Sequence, residues 1–231
     1  FTLLFFDPLT KYLLSIFGGL NLVAYYEMAN RLVTQFRSII VMASQSLIPM
    51  IANYKTSGVD LTNIYSYSFK LVFGMAIALS IFLSLSSGVI SIMWIGHIER
   101  DFVLFVVVLS IGWFFNIISS PLYFINIGLN KLDSNVYSHV FLFIMNISFG
   151  YLFGRLYGGT AVIVGVSLSL ILSSVFLIFH GSKNLSISVS IFFNSIEKVL
   201  VVLLVAITLV LFFFINSYSQ IHLMGMIIMS I

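Results

Sequence analysis

Val162-Ile163-Val164-Gly165-Val166-Ser167-Leu168-Ser169-Leu170-Ile171-Leu172-Ser173-Ser174-Val175-Phe176-Leu177-Ile178-Phe179 carries no charge, and serine is its only polar side chain. A run of this length is what spans roughly 30 Å of hydrocarbon, and serines inside a helix are tolerated cheaply. The pattern recurs on both sides. Apolar runs cover Phe1 to Phe17, Leu22 to Ala52, Ile64 to Trp94, Phe102 to Leu129, Val136 to Leu156, Thr160 to Phe179 and Ile191 to Ile215, with an incomplete one from Ile221. Between them stand breakers: Gly18-Gly19, Tyr54-Lys55-Thr56-Ser57-Gly58, Gly96, Asn130-Lys131, Gly158-Gly159 and Gly181-Ser182. The fold class expected is an all-α, polytopic transmembrane helix bundle of about 7 to 8 spans.

Composition agrees. The 231 residues are 61% hydrophobic and 7% charged, with mean hydropathy +1.16, against roughly 25% charged residues in soluble domains. With no cysteine there is no disulfide framework and no thiol nucleophile. A net charge of +3 without a basic run gives no reason to expect nucleic acid. The chain opens and closes inside apolar runs and begins at Phe1, the expectation for a fragment of a longer protein. Connectors alternate sides: Lys55, Lys70, Lys131, Lys183 and Lys198 fall on one, Arg100 and Arg155 on the other, which makes the lysine side cytoplasmic.

Polar residues at membrane depth cost a few kcal/mol each unless they meet water, each other or protein, so they locate function. On the first helix Asp7, Lys11, Ser15 and Gly18 share an arc of about 80° at 100° per residue. On the second, Glu27, Arg31, Gln35, Ser38, Gln45 and Pro49 do the same, flanked by Asn30, Thr34 and Arg37. Two readings stand: Glu27 and Arg31 are a paired internal strut, or the face lines a hydrated cavity. Two arginines against one glutamate leave positive charge in excess, which favours an anionic cargo. The fourth helix carries Pro121 amid Asn116, Ser119, Ser120, Tyr123, Asn126 and Asn130, a kinked polar face with the freed carbonyl satisfied by Ser or Asn. Asn135, His139 and Asn146 form a weaker stripe on the fifth. His97, His139, His180 and His222 share no helix face with metal-ligand spacing, so no metal and no cofactor is expected. The serine-only helix that opens this section, and the one containing Val199 to Ile215 with Thr208 its only polar residue, are expected at the lipid-facing periphery.

The run Asp7-Pro8-Leu9-Thr10-Lys11-Tyr12, then Ala24-Tyr25-Tyr26-Glu27-Met28-Ala29-Asn30-Arg31-Leu32-Val33 with Arg37 and Leu47-Ile48-Pro49, resembles the seventh and eighth helices of Wzx-type O-antigen and capsule flippases. These are the polysaccharide branch of the multidrug/oligosaccharidyl-lipid/polysaccharide exporter superfamily. The resemblance is specific over residues 1–53 and one of hydropathy and loop spacing beyond. It implies a six-helix C-terminal transport lobe over residues 1–180, with additional peripheral transmembrane helices over 181–231. That lobe is one wall of a V-shaped, two-lobe transporter in the bacterial inner membrane. The implied cargo is an oligosaccharide on undecaprenyl pyrophosphate; the implied partners are bilayer lipids, the N-terminal lobe and polysaccharide polymerase machinery. Arg31, Arg37 and Lys11 would attract pyrophosphate, Asn30, Gln35 and Gln45 would bond sugars, and Asp7 and Glu27 would tune the cations. A lipid II flippase or a drug exporter of the same superfamily is the alternative cargo reading. An embedded glycan polymerase or ligase would show a long external loop, whereas the connectors here reach only about ten residues.

Overall fold

The computed structural model describes residues 2–52, 60–185 and 187, and among these the regular structure is helical throughout. The elements are α1 (Thr2–Gln45), α2 (Leu47–Ala52), α3 (Leu61–Ile95), α4 (Arg100–Gly128), α5 (Asp133–Tyr157) and α6 (Gly159–Asn184). Helix α1 is two limbs. At Gly19 the backbone takes φ 77 and ψ 177, a combination open essentially to glycine alone. The chain doubles back there, so that Asp7 and Lys11 of the first limb meet Tyr26, Asn30 and Glu27 of the second. The Gly18-Gly19 connector of the sequence is thus a hairpin with no intervening loop. The six expected helices from Phe1 to Phe179 correspond to the two limbs and α3 to α6, whereas Ile191 to Ile215, the stub from Ile221, Lys55, Lys198, His222 and most of the 181–231 segment lie outside the described residues.

Where each element ends follows from local chemistry. The expected span Leu22 to Ala52 is divided: α1 stops at Gln45 and α2 restarts at Leu47. Pro49 has no N–H and its ring crowds the carbonyl four residues back, that of Gln45, where α1 ends, and it sits in the first turn of the new helix. Asp60 caps α3 by accepting from the Thr62 amide at 3.0 Å. Gly96 closes α3 in the left-handed region, and Asn130 does the same after α4, where the Lys131 amide reaches back to the Asn126 carbonyl. Helix α4 passes through Pro121 as a single helix. The Ser119 hydroxyl donates to the Asn116 carbonyl rather than to that of Ile117, the one Pro121 leaves without its helical donor.

Helix α4 is the axis of the bundle, in contact with α1, α2, α3 and α6, while α5 packs mainly on α6 and α1. Two apolar clusters lie along α4. One gathers the α1 limbs around Phe102, Phe105 and Leu109; the other gathers α2 and the first half of α3 around Phe114, Leu122 and Ile125. Helices α3, α4, α5 and α6 are long and apolar enough to cross a membrane, and the chain is a multi-pass membrane protein. The apolar window of α6 is 61% buried, against 22% for α5. Helix α6 is therefore not peripheral, contrary to the sequence expectation. Two of its serines return their hydroxyls to their own helix, Ser169 to Gly165 and Ser173 to Leu170, Ser167 donates across to the Val108 carbonyl of α4 at 2.8 Å, and together they leave a thin face. Small residues let helices in lipid approach closely. At Gly112 of α4 a Cβ would sit 2.9 Å from the Ser167 Cα.

The ends of the bundle sort the connectors onto two sides. At one, the Gly18-Gly19 hairpin lies against Gly158-Gly159, where a Cβ on Gly159 would land on the Gly18 backbone, and Tyr25 reaches Glu99 of the α3–α4 connector at 3.3 Å. At the other, α2 lies on Gly128 and Asn184 donates to Ser134 at 3.0 Å. Gly158 repeats the Gly19 conformation, with φ 87 and ψ −177.

Candidate functional site

The hairpin of α1 brings Asp7, Lys11, Glu27 and Arg31 into one ion network. The Lys11 ammonium lies 2.6 Å from Asp7 and also against Glu27, while the Arg31 guanidinium stands 3.9 Å from Glu27. Asp7 is held further by the buried Tyr26 hydroxyl at 3.0 Å and the Asn30 amide at 3.3 Å. Two carboxylates face one ammonium and one guanidinium, so the tetrad is neutral. The positive excess expected on this helix is thus offset by Asp7 and Glu27, and the cation outside the tetrad is Arg37. Within the tetrad the burdens differ: Lys11 is clamped from both sides and 32% exposed, whereas Arg31 is 79% exposed.

The face on which this happens is decided by the period of the helix. Tyr26, Ala29, Leu32, Val33 and Ile40 are buried in the bundle. Residues 31, 35, 42 and 45 are exposed on the opposite side, with Glu27 and Ser38 half-buried between them. The polar stripe therefore points away from the bundle of which α1 is part. Gln35 and Gln45 lie on this exposed stripe and are not drawn into the tetrad. Asn30 turns inward to Asp7.

Arg37 leaves the stripe altogether. At 100° per residue it is about 80° from Glu27 in the direction opposite to Arg31 and Gln35, which carries it toward α4. Its Nε donates to the Asn116 Oδ1 at 3.0 Å, and its guanidinium lies over the Trp113 ring, 4.6 Å from the centroid. Around it is a cavity of about 220 Å³ between α1, α4, α5 and α6, reached also by Tyr123, His139 and Ser174. Sequence reasoning had seen Asn116 and Tyr123 as one polar face and His139 as part of another. What joins them to Arg37 is the helical angle. The rest of the polar α5 stripe is structural: Asn126 donates to Asn135 at 2.8 Å, and Asn146 reaches Thr10 at 3.1 Å, tying α5 to α1.

No family profile matches the sequence, and no curated protein is similar to it. A solved structure is. The fold is similar to that of the lipid II flippase MurJ in its inward closed conformation. The TM-score is 0.69 at 13% identity, over 94% of this chain and 51% of that one. The chain thus shares the fold of that structure and spans about half its length. The stripe of α1 and the cavity at Arg37 are two separate polar regions of that fold, one turned outward from the bundle and one, partly open, between its helices.

Proposed function

We propose that the chain forms one lobe, the C-terminal one, of a transporter that flips an oligosaccharide linked to undecaprenyl pyrophosphate across the bacterial inner membrane by alternating access. The observation that carries this reading is the exposed stripe at Arg31. A guanidinium at the centre of a membrane helix costs about 2.5–3.5 kcal/mol on insertion scales unless it meets water or an anion, and among the described residues Arg31 is 79% exposed, turned away from the other helices. A second lobe opposite this face would convert the stripe into one wall of a hydrated route. Arg31 would meet the pyrophosphate, Gln35 and Gln45 would offer hydrogen bonds to sugar, and the lipid tail would stay outside. Lys11, already paired twice, positions Glu27 and so Arg31 rather than holding cargo. The molecule is a carrier on this reading, with no bond made or broken in the cargo.

The test is Arg31→Ala in the full-length protein. Glycan export is expected to fall by about tenfold or more, since a charge-assisted pair to phosphate contributes about 1.5–3 kcal/mol, with unchanged protein in the membrane. Arg31→Lys keeps the charge and should retain part of the flux. Normal export by Arg31→Ala would end the proposal. The similarity to a lipid II flippase favours a second cargo with the same pyrophosphate headgroup. Rescue of cells depleted of their own lipid II flippase would assign the chain to that cargo, and failure to rescue alongside restored O-antigen or capsule would assign it to the other.

A further inference from the structure

We propose that the cavity around Arg37 binds a small monovalent inorganic anion, of halide size, inside the helix bundle and apart from the cargo stripe. Among the described residues Arg37 has no carboxylate partner, and none of the residues lining the cavity is acidic. Its Nε is committed to Asn116 and one face of the guanidinium to Trp113, which leaves the terminal nitrogens to the cavity. Two further groups there lack a partner. Ser174, 2% exposed, has a buried hydroxyl with no hydrogen bond, and so has the Trp113 indole nitrogen. Guanidinium and indole N–H groups can only donate, so what satisfies them must accept. Water would satisfy the hydrogen bonds but not the charge, and a cation drawn in between packed helices is costly unless paired. One uncompensated cation sets the occupant at one negative charge. At about 30 Å³ per water the space of about 220 Å³ holds such an ion together with several waters.

This inference does not depend on the nature of the cargo. The test is thermal unfolding of the purified full-length protein in sodium chloride or bromide against sodium gluconate and sulfate at matched ionic strength. A ligand that binds only the folded state raises the transition temperature in a saturable way. The halides are expected to raise it and gluconate and sulfate to do so less. Ser174→Val, which removes one donor and leaves the charge, should weaken the halide effect about tenfold. Arg37→Gln should abolish it, and Arg37→Lys should keep it in part. Equal halide effects in wild type and Ser174→Val, no halide-specific shift in wild type, or a larger shift in sulfate would each overturn the proposal.

Discussion

Lys11 is the hinge of the charge network, because its ammonium separates two carboxylates that would otherwise confront each other at membrane depth. Lys11→Met is expected to lower stability by about 1–2 kcal/mol, less than for a fully buried pair because the groups are partly exposed. Adding Asp7→Asn should recover part of that loss by removing one of the two like charges, a coupling that thermal unfolding of the single and double variants would read. Arg31 behaves in the opposite way. Its contact with Glu27 is long and its side chain largely exposed, so Arg31→Ala should change stability by no more than about 0.5 kcal/mol while export falls about tenfold or more. Most of this was legible in the sequence, since spacings of four place Asp7 with Lys11 and Glu27 with Arg31. The cross-limb pair of Lys11 with Glu27 was not, because it depends on how tightly Gly19 folds the hairpin. Arg37 reads from the sequence as a residue flanking the stripe and, for its charge, as one of the cations facing the cargo, although its angle on the helix carries it toward α4 instead.

Glycines set the geometry of the elements. Gly159 sits where any side chain would strike the Gly18 backbone, so Gly159→Val should destabilise the bundle by about 1–3 kcal/mol, as overpacking does. Gly74 of α3 has open space around its Cα and an ordinary helical backbone. Gly74→Ala should therefore be neutral or stabilising by up to about 1 kcal/mol, and thermal unfolding of the two variants side by side checks the contrast. The same logic explains where hydropathy misled. Helix α6 reads as greasy and uncharged, which suits lipid, yet it is mostly buried because its serines and glycines present a thin face to α4 and α5. Burial in a membrane protein is decided by side-chain volume and close approach as much as by polarity. The break at Ser46 between α1 and α2 was visible in Pro49, whose place in a first helical turn was not taken into account by the single span read there.

Along the described helices a polar stripe turns outward on α1 and a polar cavity opens inward at Arg37, on a fold shared with a flippase of about twice the length. A transport route requires that the outward stripe meet water, and its helical period gives a sharp expectation. The chain has no cysteine, so single replacements along the second limb of α1 can be placed without background from this chain. In the full-length protein in intact membranes, Arg31→Cys, Gln35→Cys and Gln45→Cys should react with a charged, membrane-impermeant thiol reagent. Ala29→Cys, Val33→Cys and Ile40→Cys, on the buried face, should not. That pattern, with a period of 3.6 residues, is what a water-lined wall produces. A stripe that stays unreactive, or reactivity spread evenly around the helix, would contradict the transport route and leave the charges of α1 as an internal strut.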